Sequence, residues 1–175
     1  MTTSSSTTAL LFDLEATGLL RRGSKIHCIV IRDAAKPEEH LVFDHRDRQT
    51  INMGVEMLKR ADVLIGHNIL GYDIPLLQEQ FPDFRPRAEV LDTLVLSRLF
   101  YPHILDRDYE RRPQGMPQSL YGRHSLKAWG YRLKCYKGDF AEQGGGWEKY
   151  TPEMLDYCVQ DTLVTVKLHQ LMERR

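Results

Sequence analysis

The segment ALLFDLEATG at residues 9–18 decides the fold class, because it is apolar on both alternating faces except at two acidic positions. A strand that is apolar on both faces is typical of the centre of a sheet that is covered on both sides. Asp13 and Glu15 are two residues apart, so their carboxylates project from the same face and end of the strand. The sequence therefore predicts a central strand that carries two acids and ends at Gly18.

The segments that follow indicate an α/β domain. Two further strand-like runs, 25–32 and 39–43, are separated by the turn-like sequence DAAKP, so we expect the sheet to begin as an antiparallel three-strand meander. Apolar periodicity and cap signals predict the other elements: a helix at 51–61, a strand at 63–66, a helix opening at 71–75, a helix from the N-cap Asp92 to about Phe100, a short helix at 124–133, and a last helix after the N-cap Thr151. We predict a mixed sheet flanked by helices.

Composition and charge exclude several classes of protein. The 175 residues are 42% apolar and 27% charged, which is typical of a globular domain. Residues 1–8 lack the apolar region of a secretory signal and are interpreted as a flexible lead before a single domain at 9–175. An odd count of three cysteines without a CxxC pair favours a reducing, intracellular and cytoplasmic location. No apolar run approaches about 18 residues, so no membrane partner is expected.

Two further acids are predicted to face the interior of the domain. Asp161 lies at helical offsets from apolar residues of the last helix, so it belongs to the core-facing stripe. Tyr157 precedes it by one turn and points the same way. Asp73 lies in the first turn of a helix that follows a buried strand, a position where functional residues of α/β folds gather.

Four carboxylates that converged in one place would repel one another strongly. At an effective dielectric near 20, each pair about 4 Å apart costs about 4 kcal/mol. Either some of the acids stay protonated through raised pKa values, or cations neutralise them. Two divalent ions would balance four carboxylates, and oxygen ligands favour Mg²⁺ or Mn²⁺. Paired ions of this kind suit attack on a phosphodiester, so the sequence predicts a nuclease.

Three motifs resemble a known superfamily in order and spacing. The segments FDLEATG (12–18), HNILGYD (67–73) and YCVQD (157–161) resemble the exonuclease motifs of the DEDD superfamily, whose members have a ribonuclease-H-like fold. The Tyr-x-x-x-Asp spacing looks like the tyrosine subtype. Three longer segments are similar to the proofreading exonuclease domain of T7-like phage DNA polymerases: DTLVLSRL (92–99), HSLKAWGYRL (124–133) and DYCVQDTLVT (156–165). The resemblance covers residues 9 to 172.

The resemblance implies a metal-dependent 3′–5′ exonuclease that releases nucleoside 5′-monophosphates from the 3′ ends of DNA, single-stranded or frayed. Four acids would hold two divalent ions: Asp13, which would bridge them, Glu15, Asp73 and Asp161. Tyr157 would orient the attacking water. Four other positions would contact the substrate, namely Ala16, Thr17 and Leu19 around the terminal nucleotide and Asn68 near the scissile bond. A phage-encoded enzyme of this kind would act in the host cell cytoplasm.

Several alternatives remain open at this stage. The substrate is either DNA or RNA, since nothing in the sequence visibly reads a 2′-hydroxyl. The chain is expected to be either free-standing or an excised domain, and it works alone or beside a polymerase that is separately encoded or fused. A catalytically idle module that binds nucleic acid or a polymerase is a further alternative.

Residues 101–140 are the most basic part of the chain and have two interpretations. They hold eight Lys and Arg against four Asp and Glu, and 101–122 is interpreted as a long loop or arm. The basic side chains either follow a sugar-phosphate backbone or form a solvated arm. Residues 134–150 are expected to be a Gly-rich connection. We expect structural or tuning roles for His67 and His124, and core positions for Trp129 and Tyr131.

Overall fold

The computed structural model describes residues 7–18, 23–46, 48–136 and 148–174, and a five-stranded mixed sheet lies at its centre. The strands are β1 (Ala9–Ala16), β2 (Ile26–Asp33), β3 (Lys36–Asp44), β4 (Val63–Gly66) and β5 (Glu89–Asp92). They lie in the order β3-β2-β1-β4-β5. Strands β1 to β3 are antiparallel neighbours, whereas β4 pairs with β1 and β5 in parallel. The predicted meander and the central position of the first strand are confirmed.

Six helices accompany this sheet in the described part of the chain. They are α1 (Arg48–Lys59), α2 (Asp73–Gln80), α3 (Thr93–Phe100), α4 (Ile104–Arg111), α5 (Leu126–Arg132) and α6 (Pro152–Glu173), with a short 3-10 turn at Gln118–Leu120. The predicted N-caps are confirmed, since the Asp92 side chain accepts from the Leu94 N–H and the Thr151 side chain from the Met154 N–H. None of these helices is long and apolar enough to cross a membrane.

The alternation of side chains along β1 places its two acids on the face that α6 covers. Leu10, Phe12 and Leu14 pack in a core with buried residues of α1 and α2. The residues of opposite parity face α6, where Leu11 packs against Val166. The predicted core-facing stripe of α6 is confirmed, because five residues of it are buried: Met154, Cys158, Thr165, Leu168 and Met172.

Two elements differ from the sequence-based prediction. The interpretation of 101–122 as a loop is wrong for residues 104–111, which form α4. Only Ile104 and Asp108 of this helix are buried, so its apolar pattern is too sparse to reveal a helix. Strand β5 was not predicted, because four residues with two half-buried ones show no clear period.

Some predicted features lie outside the described residues. They are positions 1–6 of the lead, Leu19, and residues 137–147 of the Gly-rich connection. At the described end of the lead, the Thr8 N–H donates to Asp62 Oδ2 at 2.8 Å, and the Thr8 carbonyl accepts from the N–H groups of Asp62 and Val63. The chain is thus fixed to the sheet one residue before β1 begins.

Candidate active site

Strand β1 and helix α6 bring two carboxylates and one thiol together. One ligand atom each from Asp13, Glu15 and Cys158 lies within 4.8 Å of the others. The Cys158 thiol donates a hydrogen bond to Asp13 Oδ2 at 3.4 Å. Sequence reasoning missed this contact and placed Cys158 only in the core. The available signal was its position on the same α6 stripe as Asp161, one turn before it.

Asp73 reaches the same site from the first turn of α2. The side chain is only 3% exposed, and backbone N–H groups of Leu14 and of Asp73 itself hydrogen-bond to its carboxylate. The Leu14 N–H is free for this bond because the parallel ladder between β1 and β4 ends at Leu11 and Ile65. The second oxygen, Asp73 Oδ1, is buried and has no hydrogen-bond partner among the described residues.

Helix α6 supplies the fourth acid and the predicted tyrosine. Asp161 is half-buried on the face of α6 that packs on β1, and its carboxylate accepts a hydrogen bond from the Tyr157 side chain one turn earlier. The charges of Asp73, Glu15 and Asp161 all act on Asp13. The structure therefore brings together all five residues that the sequence analysis placed in one site.

Burial raises the pKa values of all four carboxylates, and repulsion within the cluster adds to the shift at Asp13 and Glu15. Burial, followed by the charges of Asp73, Glu15 and Asp161, raises the pKa of Asp13 well above its ordinary value. Burial and the charge of Asp161 do the same for Glu15. Burial raises the pKa of Asp73 to about 7 and that of Asp161 to about 7, although the hydrogen bond from Tyr157 opposes the shift at Asp161. The metal-free site therefore favours bound protons at neutral pH.

The donor set fits hard divalent cations. Four carboxylates provide only oxygen ligands, which Mg²⁺ and Mn²⁺ prefer. The buried, unpartnered Asp73 Oδ1 is an acceptor that a cation would satisfy. Burial, a hydrogen bond with Cys28 and the charge of Asp13 raise the pKa of the Cys158 thiol, so Cys158 stays protonated and acts as a donor. In the metal-free protein, Cys158 therefore offers no thiolate.

Asp92 fixes the segment that leads into Asp73, which the sequence analysis did not foresee. Besides capping α3, its carboxylate accepts the N–H of Asn68 at 2.9 Å and the N–H of Leu70 at 3.0 Å. It is 3% exposed. One carboxylate therefore links β5, α3 and the turn before α2, and only the cap role is visible in the sequence.

Close packing also restricts this turn at Gly66. A Cβ atom at Gly66 would lie 2.2 Å from Ile69 Cγ2 and 2.9 Å from the Phe12 carbonyl oxygen, which precedes Asp13. Asn68 itself has a left-handed backbone with φ of 65°. A side chain at Gly66 would push apart β1 and the turn that together position the acids.

The predicted substrate positions lie beside the site but differ in exposure. Ala16 is 2% exposed and packs in the core, so only its backbone is available to a ligand. Thr17 is half-buried, and its Oγ1 accepts the Lys25 N–H at 2.9 Å. Asn68 is exposed, and its carbonyl accepts from the N–H groups of Gly71 and Tyr72. Leu19 lies outside the described residues.

The two histidines have structural partners. His67 Nδ1 lies 2.9 Å from Thr93 Oγ1, and His124 Nδ1 lies 2.9 Å from Ser97 Oγ. Burial lowers the pKa of His67 to about 4, so its ring is neutral at physiological pH. These contacts agree with the structural roles expected from the sequence.

Comparison with known proteins identifies relatives by sequence. The chain is 33% identical over 180 residues to the DNA-directed DNA polymerase of Enterobacteria phage T3, and 33% identical over 181 residues to that of Escherichia phage T7. Each alignment covers 91% of this chain and 26% of the polymerase, so the chain spans about a quarter of the length of these relatives. No protein-family model matches the sequence.

Solved structures share the fold along nearly the whole chain. Brucella melitensis NrnC superposes with a TM-score of 0.67 at 17% identity over 97% of this chain and 74% of that protein. The structures of NrnC bound to pGG and with bound Mg²⁺ each give a TM-score of 0.64 at 20% identity, with the same coverage. Escherichia coli RNase D, an exoribonuclease involved in structured RNA processing, gives 0.59 at 16% identity over 97% of this chain and 40% of that protein.

These comparisons establish the fold of the domain and its relatives by sequence. The domain has the ribonuclease-H-like fold of the DEDD exonucleases. Its sequence is homologous to part of the T3 and T7 phage DNA polymerases. The resemblance predicted from the motifs is thus confirmed, while the tyrosine subtype stays a prediction.

Proposed function

We propose that this protein is a metal-dependent 3′–5′ exonuclease that hydrolyses DNA from its 3′ end and releases nucleoside 5′-monophosphates. The observation that carries the proposal is the convergence of four carboxylates, two of them with pKa values raised to about 7, on one site. Homology to two DNA polymerases and a fold shared with exonucleases support it.

Asp13, Glu15, Asp73 and Asp161 would hold two divalent ions in this proposal. Bound Mg²⁺ or Mn²⁺ would supply Lewis-acid activation of water and stabilise charge on the departing 3′ oxygen. The solved structure of the related fold with bound Mg²⁺ supports a divalent cofactor. The choice between Mg²⁺ and Mn²⁺ and the count of two ions belong to the proposal.

The protein's own residues then position the water and the acids. The Tyr157 hydroxyl, which donates to Asp161, would orient the attacking water, the role that the tyrosine subtype assigns to this residue. The Cys158 thiol restrains Asp13 at 3.4 Å, and Asp92 holds the turn that precedes Asp73. Ala16, through its backbone, and Thr17 would contact the terminal nucleotide, and Asn68 would lie near the scissile bond. Leu19, which lies outside the described residues, is assigned to the terminal nucleotide from the sequence resemblance alone.

RNA is the second candidate substrate. The shared fold includes RNase D, described as an exoribonuclease, and NrnC bound to pGG. The polymerase homology is the observation that favours DNA over RNA. We further propose that the protein acts in the cytoplasm, either alone or beside a DNA polymerase.

A degradation assay on labelled oligonucleotides tests the proposal. Incubation of matched 5′-labelled DNA and RNA strands with Mg²⁺, Mn²⁺ or EDTA should give a ladder that shortens from the 3′ end, faster on DNA, and only with a divalent ion. Degradation that persists with EDTA would overturn the metal mechanism. A protein that binds both strands but degrades neither with either ion is the idle module, and a faster RNA ladder identifies a ribonuclease.

A further inference from the structure

A cavity of about 750 Å³ lies between α4, α5 and the C-terminal half of α6. Its volume is within the range of about 300–1,000 Å³ that is typical of small-molecule sites. Leu171 lines it, and this residue follows Asp161 by ten positions, or about 15 Å along a helix axis. The cavity is therefore separate from the carboxylate cluster.

The described residues that line the cavity carry an excess of positive charge. Five are cationic, Arg107, Arg111, Arg112, Arg132 and Lys134, and the single carboxylate is Asp108. Asp108 is engaged by Arg132, which donates from Nε at 2.9 Å and from Nη2 at 2.7 Å, and by the Gly122 N–H at 2.9 Å. The other four cations form no ion pair with another residue in the described ranges. The cavity suits an anion.

Two buried donors in the wall of this cavity lack acceptors. The Arg132 side chain is 7% exposed, and its Nη1 has no hydrogen-bond partner among the residues that the structure describes. The same holds for Nε1 of Trp129, which is 2% exposed and lies beneath the Arg132 guanidinium at 4.8 Å. An unpaired buried donor is unfavourable, so two of them behind the wall of one cavity favour a ligand that carries acceptor oxygens.

Flat aromatic surfaces lie beside the cations. The rings of Tyr131 and Tyr136 stack with centroids 4.1 Å apart and planes 22° from parallel. Tyr131 was expected in the core, yet it is half-buried and lines the cavity. Arg107 lies 5.5 Å from the centroid of the Tyr101 ring. Aromatic faces next to arginines are the combination that binds bases and phosphates together.

We propose that this cavity is a second nucleotide site, which holds a phosphate against Arg111 and Arg112 and a base against Tyr131. A carboxylate-rich peptide would satisfy the cations but would make no specific use of the aromatic surface of Tyr131. The nucleotide is either a free nucleoside monophosphate or an internal unit of a strand whose 3′ end lies at the carboxylate cluster. The second source rests on the proposed function, and the first does not.

Binding measurements under conditions that prevent cleavage test the proposed nucleotide site. Affinities are measured in EDTA for dTMP, inorganic phosphate and a short 5′-labelled oligothymidylate. Arg111→Gln with Arg112→Gln should weaken binding about tenfold and reduce the slope of log affinity against log salt by about 1.4 for a single strand. Tyr131→Ala should weaken nucleotide binding about tenfold and leave phosphate binding unchanged.

A control double variant tests whether the loss of binding depends on where the arginines lie or only on the net charge of the protein. Arg60 and Arg87 are exposed arginines that do not line the cavity, so Arg60→Gln with Arg87→Gln changes the total charge equally. These controls should retain wild-type binding. A loss confined to oligothymidylate identifies the strand source, and a loss that includes dTMP identifies the free nucleotide.

Equal affinities of the cavity and control variants would overturn the second site. Tighter binding of an oligoglutamate peptide than of dTMP or oligothymidylate, lost in the cavity variants, would replace it with a peptide site. The same preparations are assayed for DNA degradation with Mg²⁺ and Mn²⁺. An active enzyme whose cavity variants bind normally refutes only this inference, and an inactive protein whose cavity variants bind weakly refutes only the proposed exonuclease.

Discussion

The carboxylate cluster and the basic cavity lie along the same helix, α6, but they manage buried charge in opposite ways. In the cluster, Asp13 and its three acidic neighbours face one another, and the hydrogen bonds that they accept leave their pKa values raised. In the cavity, the buried Asp108 and Arg132 neutralise each other through two short hydrogen bonds. The first arrangement is relieved only by bound protons or cations, whereas the second is already balanced.

The largest expected effect is the loss of activity when the cluster loses one acid. Asp161→Asn should reduce DNA degradation roughly a thousandfold, because a ligand to the activating ions is removed. It should also raise the melting temperature of the metal-free protein, since one repelling charge disappears. Asp156→Asn, on the exposed face of the same helix, is the control and should change neither quantity. A lower melting temperature of the metal-free Asp161→Asn variant would show that the charge of Asp161 does not destabilise the metal-free protein.

The second largest effect is expected at the Asp108–Arg132 ion pair beside the basic cavity. Asp108→Ala leaves the buried guanidinium of Arg132 without its partner and should lower the free energy of unfolding by about 3–5 kcal/mol. Chemical denaturation measures this change. Asp106→Ala, an exposed position on the same helix, should lower it by less than about 1 kcal/mol. Similar losses in both variants would show that the buried pair does not stabilise the fold.

The two regions should also respond to pH in opposite directions. The folded-state pKa values of Asp73 and Asp161 are about 7, above the ordinary value of 3.8, so the folded state binds more protons in between. Stability of the metal-free protein should therefore fall as pH rises from about 4 to about 7. Hydrogen bonds from Arg132 and Gly122 outweigh burial and lower the pKa of Asp108, so its contribution is lost as pH falls below about 4.

Melting curves from pH 3 to 9, with and without Mg²⁺ or Mn²⁺, measure this dependence. The increase in melting temperature caused by the ion should grow across pH 7, because ion binding needs the deprotonated carboxylates. An increase that is independent of pH would mean that the ion does not bind these four groups.

A smaller effect is expected from the tyrosine of the cluster. Tyr157→Phe should reduce activity roughly tenfold to a hundredfold, because it removes the orientation of water and leaves all four carboxylates in place. Steady-state rates and a metal titration measure the two consequences separately. Metal affinity should stay unchanged, and a loss of activity as deep as that of Asp161→Asn would disprove the assigned role.

The smallest effect is expected at the thiol beside Asp13. Cys158→Ser retains a donor and should keep most of the activity, whereas Cys158→Ala should lose a few-fold more, consistent with one hydrogen bond of about 1 kcal/mol. Parallel rate measurements on both variants check this difference. Equal rates would show that the thiol serves only to fill space between β1 and α6.

Much of the cluster was predictable because local patterns encode it. The two acids of β1 share a face through the two-residue period of a strand, and Tyr157 and Asp161 share a face through the four-residue spacing of a helix. Motif order then related these segments to Asp73. The contact of Cys158 with Asp13 was not predicted, because a buried cysteine and a thiol donor have the same sequence signature, and its place on the stripe of Asp161 shows only that it faces β1.

The sequence by itself determined the central strand, the stripe of α6 and the set of acids, since each depends on neighbours a few residues apart. Only the tertiary structure decided that 104–111 is a helix, that Asp92 holds the turn before Asp73, and that Asp108, Gly122 and Arg132 meet beside a cavity. The physical reason is that the last two features arise from hydrogen bonds between residues 14 to 24 positions apart. Such pairings depend on how the chain folds back on itself, and no periodic pattern of neighbouring residues predicts them.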